Sequence, residues 1–183
     1  MMDHSDEKLT GELIKEFHRL IMNNISDANK EWFHVVDYKL YPNEIGGMQT
    51  TSPGKEAEKM KALLAEYLSK PKVMIEDIAD LHQQFENIHL FQNGNGRVGR
   101  VIMFKECLKN DILPFIIDEL HKCYYYRGLK AYRSEKGYLL DTCRSAQDVY
   151  GSYVDYFFPS RKMGRRWIER QGNGIVLILR REG

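Results

Sequence analysis

Residues 89–100 read HLFQNGNGRVGR, and the placement of this stretch governs how the rest of the chain is read. Upstream, Ile75, Ile78, Leu81, Phe85 and Ile88 recur at three and four after Pro71, so a helix runs to about His89. Downstream, Val98, Val101, Ile102, Lys105 and Leu108 continue as a second helix that ends near Lys109 and Asn110, before the turn into DILPF. The small polar segment therefore joins two helices. A helix that begins at about Gly96 opens with backbone N–H groups that have no intrahelical partner and carry a partial positive charge. Gly94 and Gly96 have no side chain to hold a phosphate oxygen away from that backbone. Arg97 and Arg100 lie three apart, on neighbouring parts of one helix face, where each forked guanidinium can take phosphate oxygens in pairs. Two such arginines at a helix start imply a polyphosphate. His89, one tight turn away, is the residue type suited to accept a hydroxyl proton, with an ordinary pKa of about 6.5. Each element alone has a plainer reading: a capping histidine, a helix-to-helix turn, a solvated pair of arginines. Their joint spacing supports the functional one.

Working outward, Leu9, Leu13, Ile14, Phe17, Leu20 and Ile21 describe an amphipathic helix over about Thr10 to Asn23, with Thr10 as N-cap. From Trp32 to Thr51 the period changes. WFHVVDYKLYPNEIGGMQTT is aromatic and β-branched, broken by Pro-Asn and Gly-Gly, and reads as a β-hairpin flap. Helical spacing resumes over Lys55 to Leu68 through Met60, Leu63, Leu64 and Tyr67. Further helices are expected over about Asp118 to Arg133 and Ser145 to Phe157; most of their tyrosines are read as half-buried packing residues. The end, RRWIERQGNGIVLILRREG, reads as two short strands around Gln-Gly-Asn-Gly.

A chain of 183 residues is a usual length for one domain with a real core. Its 43% hydrophobic and 29% charged content argues against disordered and membrane classes. Cys107, Cys123 and Cys143 form neither a disulfide framework nor a zinc pattern, and the longest apolar run, Ile175 to Leu179, is far too short to cross a bilayer. A soluble protein of the reducing cytoplasm is expected, with no membrane partner. From Ser160 onward seven Arg or Lys residues face two Glu, leaving the tail at +5 and the remainder at −4. Without aromatic-rich basic repeats this reads as a solvated tail, so nucleic acid is not the expected partner.

The motif resembles the signature of the Fic (Fido-fold) domains, H-x-F-x-(D/E)-G-N-G-R-x-x-R. His89, Phe91, Gly94, Asn95, Gly96, Arg97 and Arg100 match, seven of eight specified positions; Asn93 departs from the acid. The likeness extends over roughly Leu9 to Phe158: LTGELIKEFHRLI is similar to the family's first helix, the stretch around YPNEIGG to its target-positioning flap, and LHQQFENIH precedes the motif as it does there. It implies an all-α Fic/Fido fold over residues 1–159 with a short β-hairpin flap, followed by a basic tail over 160–183. It also implies transfer of AMP from ATP to a Tyr, Thr or Ser hydroxyl of a target protein bound along the flap. In that scheme His89 is the base and Phe91 a packing anchor. Gly94, Asn95 and Gly96 hold the α- and β-phosphates, Arg97 the β- and γ-phosphates, and Arg100 the γ-phosphate. Position 93 carries the Mg²⁺ ligand, which makes Asn93 the candidate metal residue and a source of attenuated activity. The branch that transfers a phosphoryl group has Lys in place of the second motif glycine; Gly96 favours AMP transfer. The alternative is a catalytically silent, Fic-like nucleotide-binding module. The family's inhibitory motif, (S/T)-x-x-x-E-(G/N), has no match: Ser52 is followed by Glu56 and then Ala57. Either a separate antitoxin-like protein supplies the inhibition, which is the favoured expectation, or the enzyme is unrestrained and weakened by Asn93 instead.

Overall fold

The structure is a computed structural model that describes residues 5–23, 37–45, 48–157, 169–171 and 174–176. Its element order is α1 (Gly11–Met22), β1 (Glu44–Ile45), β2 (Met48–Gln49), α2 (Glu56–Leu68), α3 (Ile75–Ile88), α4 (Asn95–Lys109), α5 (Glu119–Ala131), α6 (Gly137–Phe157), β3 (Glu169–Gln171) and β4 (Gly174–Val176). The expected all-α architecture holds, with two short antiparallel pairs, β1 with β2 and β3 with β4. The expected boundary at residue 160 and most of the basic tail fall outside the described residues, as do Trp32–Val36 of the flap reading. Among the described residues no helix is long and apolar enough to cross a membrane.

Two compact units can be distinguished, and the division between them falls within α3 and α4. The unit of Lys8–Lys72 and Asp80–Ile102 contains the motif. Its first helix starts as expected: Thr10 Oγ1 accepts the Leu13 N–H at 3.2 Å, a cap worth about 1 kcal/mol. The face it buries differs from the apolar count. Leu20 is 50% exposed, while His18 and Met22 are buried beside Leu13, Ile14 and Phe17. The reason is angular: positions 14, 18 and 22 step by four and stay on one face, and 20 falls away from it. α2 buries Met60, Leu63, Leu64 and Tyr67, the residues the spacing selects.

In the flap, Glu44 pairs with Gln49 and Ile45 with Met48. Its stem is tied to the motif segment, because the Lys39 N–H donates to the Leu90 carbonyl at 3.1 Å and the Thr51 N–H to the Asn87 carbonyl at 3.3 Å.

The second unit comprises Met1–Glu7, Val73–Ala79 and Met103–Gly183. Its core gathers Ile78, Met103, Cys107, Phe115, Tyr125, Leu139 and Cys143 with their neighbours. Asp118 caps α5 by accepting the His121 N–H at 3.0 Å, and the His121 ring bridges Asp118 and Ser145, which joins α5 to α6. Here α6 begins at Gly137, two turns before the expected Ser145. Its buried face includes Thr142 and Gly151, which an apolar count passes over. The tyrosine expectation also needs correction: Tyr150 is half-buried, but Tyr125 and Tyr132 are buried and Tyr124, Tyr126, Tyr153 and Tyr156 are exposed. Tyr124 and Tyr138 flank Arg127, whose guanidinium lies 5.4 and 4.5 Å from their ring centres. The terminal strands pair with Glu169 opposite Val176, Arg170 opposite Ile175 and Gln171 opposite Gly174.

Candidate active site

The motif loop is fixed from within by Asn95. Its Oδ1 accepts the Phe91 N–H at 2.9 Å and its Nδ2 donates to the Phe91 carbonyl at 2.7 Å. Asn95 is thus a brace: its side chain closes the loop, and its backbone N–H remains at the helix start. Asn95→Ala orphans two buried groups at roughly 1–3 kcal/mol each, so a loss of about 2–6 kcal/mol is expected in urea unfolding. A loss under 1 kcal/mol would mean that water replaces the amide.

Phe91, itself fully buried, stacks on the His18 ring with centroids 3.8 Å apart. Since the Asn93 carbonyl can only accept, His18 Nε2 carries a proton and donates to it at 3.1 Å. The turn itself needs glycine at position 94, where φ is +85° and a β-carbon would come within 2.7 Å of Met22 Sδ. α4 then begins at Asn95, one residue before the sequence expectation, and the Arg97 and Val98 N–H groups both donate to the Gly94 carbonyl.

His89 sits just past the end of α3 with φ +53°, a left-handed conformation uncommon for a residue with a side chain. Its N–H donates to the Phe85 carbonyl at 3.0 Å, so it closes the last turn of the helix. Its ring Nδ1 lies 3.3 Å from the Glu86 carbonyl. A carbonyl accepts only, so the proton is on Nδ1 and Nε2 carries the free lone pair. Burial pushes the ring pKa down to about 4, opposed by the Glu86 carbonyl and reinforced by the Lys39 charge. The imidazole is therefore neutral, and able to accept a proton, at pH 7.

Lys39, whose charge acts on this histidine, is a residue the sequence reading missed. Buried under the flap, its ammonium donates to Asn43 Oδ1, Thr50 Oγ1 and the Ile88 carbonyl at 3.0, 2.7 and 3.2 Å. Burial lowers its pKa to about 8, with Glu56 acting in the opposite sense. A cleft of about 500 Å³ opens at the foot of the flap, lined by Lys39 together with Asp37, Tyr38, Leu40, Pro53, Gly54 and Glu56. A lysine in an aromatic, β-branched segment was the available signal. For His18 the signal was a polar residue four positions after Ile14 on a buried stripe.

Of the remaining candidates, Arg97 is exposed and Arg100 half-buried on the first turns of α4, and Gly96 lies between them and the loop. Asn93 Oδ1 accepts the Gly94 N–H at 2.7 Å, which turns the amide oxygen into the loop. Among the described residues no group of three or more His, Cys, Asp or Glu could hold a metal ion. A neutral amide already committed to a backbone N–H does not fit a protein-held Mg²⁺, which prefers charged oxygen.

Gly99, which the motif leaves unspecified, is where α4 meets α3 most closely. A β-carbon there would lie 2.7 Å from His82 Cε1 and 2.9 Å from Glu86 Oε1, both on a buried surface. Gly99→Ala is expected to destabilise the fold by about 1–3 kcal/mol, read as a lowered melting temperature. An unchanged melt would mean that the helices separate freely.

The Fic/DOC family model matches residues 8–107, more than half of the chain, and the chain belongs to that family. Family members generally transfer a nucleoside monophosphate to proteins. A search of curated proteins returned no match. Among solved structures the chain is similar to a Fic domain containing signaling protein from Bacteroides thetaiotaomicron, with 24% identity over 85% of this chain and 60% of that one and a TM-score of 0.63. It is similar also to Fic-1 from C. elegans (17% identity, 87% and 47% covered, TM-score 0.67) and to a Fic family protein from Desulfovibrio desulfuricans (18%, 85% and 51%, TM-score 0.60). The chain thus spans between about half and 60% of the length of these structures, and the likeness to them is one of fold.

Proposed function

We propose that this chain is a protein adenylyltransferase, moving AMP from ATP to a Tyr, Thr or Ser hydroxyl of a target protein. The observation that supports it best is the His89 tautomer: Nδ1 is held by the Glu86 carbonyl, so the lone pair of Nε2 is left to accept a proton, six residues before the start of α4. In this reading the α4 N-terminal N–H groups hold the α- and β-phosphates, Arg97 the β- and γ-phosphates, and Arg100 the γ-phosphate. Nε2 takes the hydroxyl proton as the oxygen attacks the α-phosphorus. The bond from that phosphorus to the oxygen bridging the α- and β-phosphates breaks, and pyrophosphate leaves. An extended segment of the target adds to the flap by backbone pairing, which tolerates varied side chains. Magnesium would arrive with the triphosphate, since Asn93 offers it no charge. A separate antitoxin-like protein is proposed as the inhibitor, because Ser52 and Glu56 do not form the inhibitory motif.

The second reading, a silent nucleotide-binding module, is favoured by the amide at position 93 and its bond to Gly94. One experiment separates them: wild type, His89→Ala and Asn93→Asp are incubated with ATP labelled at the α-phosphorus, Mg²⁺ and host lysate. Protein labelling that requires His89 supports transfer. ATP binding without labelling by either wild type or Asn93→Asp supports the silent module.

A further inference from the structure

His82 and Glu86 stand one turn apart on α3, both buried, with Nε2 and Oε1 3.9 Å apart. The side chain of Glu86 has no part in the transfer scheme, and its Oε1 is buried without a hydrogen-bond partner. That oxygen faces the first turn of α4: a β-carbon on Gly96 would lie 3.8 Å from Glu86 Oε1 and 3.5 Å from Arg100 Nη1. A carboxylate oxygen and a guanidinium nitrogen therefore flank the same point above Gly96. Helical side chains lean towards the helix N-terminus, so Arg100 reaches back over the residue four before it, to the end of α4 that attracts anions. Arg100 is also the charge that acts on both buried groups of α3, and His82, held neutral by burial, adds no competing charge.

We propose that Glu86 is a positioning residue for Arg100: its carboxyl, fixed on α3, holds the guanidinium over Gly96 so that Arg100 meets the terminal phosphate of a nucleotide already ordered. The proposal rests on the nucleotide reading of the site for its ligand, and on the Gly96 geometry for the approach of the two groups. Repulsion between carboxylate and phosphate is relieved by protonation. Burial raises the Glu86 pKa to about 7 against the pull of Arg100, and an arriving anion favours proton uptake further.

The test measures binding of ATP and of AMP to wild type, Glu86→Gln, Glu86→Met, Arg100→Ala and Glu86→Gln/Arg100→Ala by calorimetry, with the ¹⁵Nε resonance of Arg100 followed in the free protein. Glu86→Gln and Glu86→Met are expected to weaken ATP roughly three- to tenfold, the cost of ordering one long side chain, and to leave AMP binding unchanged. In the Arg100→Ala background Glu86→Gln should cause no further loss. The Arg100 resonance should shift or broaden in both Glu86 variants. Equal weakening of ATP and AMP, tighter ATP binding, the same loss without Arg100, or an unmoved resonance would overturn the proposal. Failure of wild type to bind ATP would defeat the nucleotide reading instead, while the resonance still decides whether Glu86 holds Arg100.

Discussion

Replacing His89 by alanine is expected to cut adenylyl transfer by roughly 10²- to 10⁴-fold, the usual contribution of a positioned base, while leaving ATP affinity within a few-fold of wild type. The position of the ring sets its pH behaviour. Burial holds the pKa at about 4, so in the free enzyme the imidazole is unprotonated throughout the neutral range. Acid protonates it only as the pH falls through about 4. Consequently kcat/KM for the protein substrate should be flat from pH 8 down to 5 and fall below that. A decline centred on about 6.5 would mean that the ring is solvated like a free imidazole and not tied to the Glu86 carbonyl. Residual labelling by His89→Ala within tenfold of wild type would remove His89 from the chemistry.

Asn93→Asp is expected to act in the other direction. A carboxylate close to a dication at a partly exposed site is worth on the order of 2–4 kcal/mol. That corresponds to roughly 30- to 1000-fold tighter Mg²⁺, seen as a fall in the Mg²⁺ concentration that half-saturates labelling. The loop should tolerate the change. Asn93 Oδ1 accepts the Gly94 N–H, and an aspartate oxygen accepts the same bond more strongly while its second oxygen remains available. Mg²⁺ dependence that does not move between the two proteins would show that residue 93 takes no part in metal binding. Binding of ATP by both with labelling by neither would leave the silent module as the reading.

The motif was legible because its residues are local in sequence. Histidine, glycine turn and two arginines lie within twelve positions, and helical periodicity on either side places them at a helix end and a helix start. The same locality made α1 to α5 readable to within a few residues, including the Thr10 cap. α6 was read two turns short because Thr142 interrupts the apolar spacing of its first turns. The tyrosines could not be sorted into buried and exposed, since spacing along a helix does not say which face another element covers.

By itself, then, the sequence determined the helical class, the order of elements, the anion-attracting start of α4 and the family. These follow from period, capping chemistry and contiguous spacing. Only the tertiary structure decided which atoms of the motif remain free for chemistry. It committed the Asn95 amide to Phe91 and the Asn93 oxygen to Gly94, and it set His89 Nε2 free through the Glu86 carbonyl. It also brought His18 and Lys39 to the loop, 75 and 51 positions from their partners Asn93 and Leu90. The local commitments depend on which rotamer each side chain adopts, and those of His18 and Lys39 on hydrogen bonds between distant segments; neither has a period that can be read along the chain.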